Sequence, residues 1–88
     1  MKPLNYAILK YFTTVKEASA NDVLKALKDD YKGLRTFNKK EMINALLTAE
    51  ANGLIEETRI DLDENDELEI FYHATEESKV TINSYIKD

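Results

Sequence analysis

The stretch KKEMINALLTAEANGLI, residues 39–55, contains the point at which the hydrophobic period of the chain changes from helical to alternating. Its apolar residues recur at helical spacing and form one stripe: Met42, Ala45, Leu46 and Ala49. Asn38 precedes Glu41 by three residues, which is the spacing of a capping box, and Gly53 suits a left-handed C-terminal cap. The pattern predicts a helix over about residues 39–52.

A β-hairpin is predicted after Gly53. Its two strands carry alternating apolar residues, with Thr58, Ile60 and Leu62 on the first and Leu68, Ile70 and Tyr72 on the second. A two-residue loop would place these apolar residues opposite Glu67 and Glu69. If Asp63 instead lies opposite Glu67, Leu62 meets Leu68 across the strands. We therefore expect a three-residue tip.

Three further helices are predicted, two before this region and one after it. Helical spacing of apolar residues indicates a first helix from Pro3 to about Thr13. Ser19 is a candidate N-cap for a second helix, which we expect Gly33 to end by adopting a positive φ. Thr75 is a candidate N-cap for a last helix over residues 76–86, although the spacing of Val80 and Ile82 also suits a strand.

Length and composition indicate one domain with an uneven charge distribution. The 88 residues carry a net charge of −5, but residues 1–49 hold nine basic and five acidic side chains and residues 50–88 hold three and twelve. The chain has no cysteine, which is typical of a reducing compartment, and no apolar run long enough to cross a bilayer. We expect a cytoplasmic protein without membrane association.

In their order and spacing these segments resemble the winged helix-turn-helix fold, in particular small bacterial regulators of the PadR and MarR families. Residues 39–55 are similar to the recognition helix of those families and its Gly-Leu-Ile entry to the wing. HATEESK, residues 73–79, is similar to the Leu-Thr-x-x-Gly-Lys step that follows their wing, with Ala74 and Ser78 in place of Leu and Gly. The resemblance implies one winged-helix domain over residues 1–88, mainly α with a small β-hairpin (α+β), comprising three helices, a two-stranded wing and a C-terminal helix.

The resemblance further implies a DNA-binding transcriptional regulator whose third helix lies in the major groove of double-stranded DNA. Lys39 and Lys40 would then contact phosphates or a guanine edge, and Asn44 an adenine edge, with Thr48 one turn further along. The expected flanking contacts are Arg35, Thr36, Asn38, Lys25 and Lys28. An alternative interpretation is that the lysines only keep the helix surfaces soluble.

The acidic hairpin supports a second hypothesis, a protein-interaction module that binds a basic partner protein. Residues 56–69 contain eight acidic side chains and Arg59 as the one base, so this wing should be repelled by phosphates. The acids expected on its outer face are Asp61, Asp63, Glu64, Asp66, Glu67 and Glu69. Because a monomer would then bind DNA weakly, we expect a homodimer. Its candidate surface is Tyr6, Leu9, Tyr85 and Ile86, although Leu9 and Ile86 also suit the core.

No catalytic or metal-binding pattern accompanies these features. The run from Asp61 begins like a calcium loop, but Asp66 occupies the position of the required glycine and Tyr72 that of the bidentate glutamate. His73 is the single histidine, and no serine has the surroundings of a nucleophile. We therefore expect neither an enzyme nor a bound cofactor or metal.

Overall fold

Four α-helices and one antiparallel sheet make up residues 1–87, the part of the chain that the computed structural model describes. In chain order the elements are α1 (Leu4–Phe12), β1 (Ala18–Ser19), α2 (Ala20–Tyr31), α3 (Lys39–Ala51), β2 (Glu56–Leu62), β3 (Leu68–His73) and α4 (Glu76–Tyr85). The α+β class predicted from the sequence is confirmed.

The starts of α2, α3 and α4 lie where the sequence predicts them, because a side-chain hydrogen bond fixes each one. The Ser19 hydroxyl accepts from the Asp22 amide at 3.2 Å, and the Asp22 carboxylate accepts from the Ser19 amide at 3.0 Å, which completes a capping box at α2. Asn38 caps α3 by accepting from the Glu41 amide at 2.9 Å. Thr75 caps α4 in the same way.

The two glycines behave differently, and the prediction for Gly33 was wrong. Within the described residues Gly53 has a φ of 75° and is the one glycine with a positive φ. Helix α2 ends instead in a turn in which the Leu34 amide donates to the Tyr31 carbonyl at 3.0 Å, with Lys32 still right-handed. A turn of this kind needs no left-handed residue, whereas the reversal after α3 does.

Substitution of each glycine by alanine should separate these two roles. We expect Gly53→Ala to lower the free energy of unfolding by about 1–2 kcal/mol, because a Cβ strains the left-handed backbone although it meets no atom within 4 Å. Gly33→Ala is the matched control, and it should be neutral or stabilising by up to about 1 kcal/mol. Urea unfolding measures both; equal effects of the two substitutions would contradict this account.

The sheet has the predicted hairpin register but one strand more than predicted. Strands β2 and β3 pair with Ile60 opposite Ile70 and Leu62 opposite Leu68, as expected. The added strand β1 pairs with the other edge of β3, so the order is β1-β3-β2. A two-residue strand is too short to produce an alternating pattern.

A β-bulge interrupts the alternation of side chains that the sequence predicts for β2. The register shifts between Glu57, which pairs with Tyr72, and Arg59, which pairs with Phe71. Thr58 is the extra residue, and its hydroxyl donates to Glu17 rather than lying on the face of Ile60. The bulge therefore turns Arg59 toward the segment that precedes β1.

The core lies between the helices and the base of the hairpin. Its most enclosed large side chains are Phe12, Val23, Met42, Leu46 and Ile55. Ile82 of α4 and Ile86, the residue that follows this helix, close the core. Tyr72 is also buried and Ile70 packs against the core, but other apolar side chains of the hairpin lie outside it. Ile60, Leu62 and Leu68 are each more than half exposed.

None of the helices in residues 1–87 is both long enough and apolar enough to cross a membrane.

Candidate nucleic-acid interface

The outward face of α3 carries three predicted contact residues in one row. Burial of Met42 and Leu46 fixes the orientation of the helix, so that Lys40, Asn44 and Thr48, spaced four residues apart, lie on the opposite side and are exposed. The Thr48 hydroxyl donates to the Asn44 carbonyl at 3.0 Å, which holds it against the helix. The side chains of Lys40 and Asn44 extend into solvent.

The loop before α3 places further polar residues at its N-terminal end. Arg35 and Thr36 are exposed, and Phe37 stacks on Tyr31 with ring centroids 6.5 Å apart, which anchors the loop to α2. The Asn38 side chain accepts from the Glu41 amide and donates to the Arg35 carbonyl at 3.1 Å. Asn38 therefore has one amide hydrogen left for a ligand, and its main role is structural.

Lys39 is held by the hairpin. Its ammonium lies 3.7 Å from the Asp63 carboxylate, and the two side chains are 43% and 10% exposed. The Asp63 carboxylate also accepts from the Asn65 and Glu67 amides at 2.8 and 3.0 Å. These backbone hydrogen bonds, assisted by Lys39, hold the pKa of Asp63 below its usual value. Lys39 is thus partly neutralised, whereas Lys40 has no ion pair described within residues 1–87.

The predicted lysines of α2 are both exposed, but their surroundings differ. Lys25 lines the depression between α2 and the hairpin tip, which Lys39 and Asp63 also line. Lys28 lies one turn further along α2 and outside that depression. The fold therefore places Lys25, but not Lys28, in the depression that Lys39 lines at the start of α3.

Arg59, the single base of the hairpin, is engaged by the protein itself. Its guanidinium donates to Glu17 at 2.8 and 2.9 Å and to Asp61 at 2.9 Å, and it lies 3.8 Å above the centre of the Phe71 ring. The hydrogen bonds that Glu17 accepts from Arg59 and Thr58 lower its pKa. The hairpin therefore presents no free cation to a phosphate.

The six predicted hairpin acids do not form one uniform surface. Glu69 accepts hydrogen bonds from the Ser19 hydroxyl and, at 3.3 Å, from the Asn21 side chain, and Asp61 and Asp63 hold the two ion pairs described above. Glu64, Asp66 and Glu67, all at the tip, are exposed and have no ion pair described within residues 1–87. Asp66 has a φ of 60°, which the tight turn requires.

One feature of this surface was not predicted from the sequence. Ile43 and Leu47 on α3 are exposed and line a groove against β3, together with the exposed Leu68 and the half-buried Ile70. Ile43 and Leu47 follow the helical spacing but lie just outside the buried stripe of α3. The sequence signal for this groove was an apolar stripe on α3 that is wider than the face buried in the core.

Residues 1–87 contain no group of three or more His, Asp or Glu side chains placed to hold a metal ion. His73 lies 3.5 Å from Glu56, its cross-strand neighbour at the base of the hairpin. This pair joins β2 to β3.

Comparison of the sequence with models of protein families and with curated proteins finds no match.

Proposed function

We propose that the protein is a winged helix-turn-helix regulator that binds double-stranded DNA with the outward face of α3. The observation that carries the proposal is the row of Lys40, Asn44 and Thr48, which is exposed along a helix whose other side is fixed in the core. The order of elements supports it, because α2 and α3 pack together and a hairpin follows α3 directly.

In this function each polar side chain has a chemical role. Lys40 donates to a phosphate or to a guanine edge, and Asn44 pairs with an adenine edge. Arg35 and Thr36 contact phosphates beside the helix start, and Lys25 contacts the flanking backbone. The hairpin contributes no cation, so the affinity depends on α3 and the loop before it.

The same proposal includes a symmetric dimer, because two copies double the number of DNA contacts. Of the four candidate residues, Ile86 is buried in the core and Leu9 packs against it. Tyr6 and Tyr85 remain exposed on either side of a cleft between α1 and α4, and they are the residues through which we propose that the chains pair.

Lys40 and Lys39 provide the test of DNA binding. We expect Lys40→Ala to weaken binding to a random-sequence duplex several-fold and to reduce the slope of log affinity against log salt by about 0.9, because one phosphate contact is lost. Lys39→Ala should have a smaller effect, because Asp63 already neutralises part of its charge. Fluorescence anisotropy of a labelled duplex over a salt series measures both.

Two controls accompany this measurement. Lys79→Ala removes a cation on α4 and should leave the affinity unchanged. Asp63→Asn keeps the oxygen that accepts from Asn65 and Glu67 but removes the charge facing Lys39, so it should strengthen binding. If the wild type fails to bind duplex at low salt, or if Lys79→Ala weakens binding as much as Lys40→Ala, the proposal is wrong, and the acidic tip becomes the stronger candidate as a protein-binding surface.

A further inference from the structure

The groove between α3 and β3 has an apolar floor and is open to solvent. Leu46 and Tyr72 close its base, and Ile43, Leu47 and Leu68 line its walls, with Leu68 73% exposed. Cross-strand pairing continues this apolar surface onto β2, because Ile60 lies opposite Ile70 and Leu62 opposite Leu68. Contiguous exposed apolar side chains on a small protein mark an interaction surface.

The two ends of the groove differ in charge. At the start of α3, Lys39 and Asp63 neutralise each other. Two glutamates lie beside the residues that line the groove rather than among them: Glu50, one turn after Leu46 and Leu47 on α3, and Glu57 on β2, which pairs with Tyr72 of β3. Both carboxylates lie close enough to the Tyr72 hydroxyl to add to the effect of burial in raising its pKa. No ion pair is described for either glutamate within residues 1–87.

This combination selects one kind of occupant. A second copy of the chain is disfavoured, because it would bring two acidic hairpins together. DNA is disfavoured by the apolar floor and by Glu50 and Glu57 beside the groove. An amphipathic helix with apolar side chains on one face and basic residues at one end matches both the floor and the unpaired carboxylates.

We propose that this groove binds an amphipathic, positively charged helix of a partner protein. The helix lies along α3, inserts apolar side chains between Leu47 and Leu68, and places its basic end against Glu50 and Glu57. The groove flanks the row of Lys40, Asn44 and Thr48 without including it. The inference therefore goes beyond DNA binding and does not depend on it.

A designed peptide tests the proposal on the intact chain. The probe is a fluorescent 15-residue amphipathic peptide with leucines at positions i, i+4 and i+7 and three lysines at its C-terminal end; the control is a scrambled peptide of the same composition. We expect the probe to bind and the scrambled peptide to bind at least about tenfold more weakly. Leu47→Ser and Leu68→Ser should each weaken probe binding about tenfold.

Charge variants and distant controls complete the design. Glu50→Gln combined with Glu57→Gln should weaken probe binding several-fold and make it less sensitive to salt. Val80→Ser, at an exposed apolar residue of α4, and Glu76→Gln with Glu77→Gln should leave binding unchanged. Circular dichroism of each variant verifies that the helices are retained.

Four results would overturn the proposal. The scrambled peptide could bind as well as the probe, or the groove variants could bind as well as the wild type, and either would show that attraction to the acidic chain is nonspecific. Sedimentation could show a dimer that Leu68→Ser dissociates, which would make a second copy the occupant. Duplex DNA could displace the probe in the wild type but not in Leu47→Ser, which would assign the groove to DNA.

Discussion

Leu46→Ala should lower the free energy of unfolding by about 2–5 kcal/mol, whereas Leu47→Ala, one residue further along the same helix, should lower it by less than about 1 kcal/mol. Leu46 is 1% exposed and Leu47 is 47% exposed, so only the first substitution leaves a cavity in the core. Urea unfolding followed by circular dichroism measures both. The loss at Leu46 is a large fraction of the stability of a domain of 88 residues.

The adjacent leucines control for each other, since they share helix propensity and secondary structure. Equal destabilisation by the two substitutions would mean that Leu47 is also enclosed, and the groove beside it would then not be open. A large loss at Leu47 alone would require α3 to be rotated about its axis. That rotation would also remove Lys40 and Asn44 from the outward face.

The second large effect is expected at Ser19, which is fully buried where β1 meets α2. Its hydroxyl accepts from the Asp22 amide and donates to the Glu69 carboxylate. Ser19→Ala removes the N-cap of α2 and leaves Glu69 with Asn21 as its described donor. We expect a loss of about 1–3 kcal/mol in the free energy of unfolding by urea.

Ser84→Ala is the matched control for Ser19→Ala. The Ser84 hydroxyl is exposed and donates to the Thr81 carbonyl within α4, so its removal should change stability by no more than about 0.5 kcal/mol. A double variant with Glu69→Ala should cost less than the sum of the single changes, because the two residues share a hydrogen bond. Full additivity, or equal effects of the two serine variants, would contradict the role given to Ser19.

The row on α3 and the hairpin register were predictable because both follow from short sequence periods. A helix with buried Met42 and Leu46 must expose Lys40 and Asn44. A hairpin that pairs Leu62 with Leu68 must place Asp61 opposite Glu69. Neither prediction needed contacts between distant parts of the chain.

The state of the charged groups was not predictable in the same way. Lys39 and Lys40 are adjacent and chemically identical, yet only Lys39 meets Asp63, because the hairpin tip lies over the start of α3. Arg59 is the one base in the hairpin sequence, and a one-residue bulge directs it to Glu17. A net charge counts these groups equally, whereas their separations of 2.8 to 3.7 Å decide which remain available to a partner.

The amino-acid sequence alone determined the helices, the N-caps of α2, α3 and α4 and the hairpin register, because each of these depends on residues a few positions apart. Only the tertiary structure decided that β1 pairs with β3 and that Ser19 meets Glu69, fifty residues away. It also decided that the apolar residues beside α3 line an open groove. Such contacts depend on how whole elements pack. That packing encloses Leu46 and leaves the adjacent Leu47 exposed.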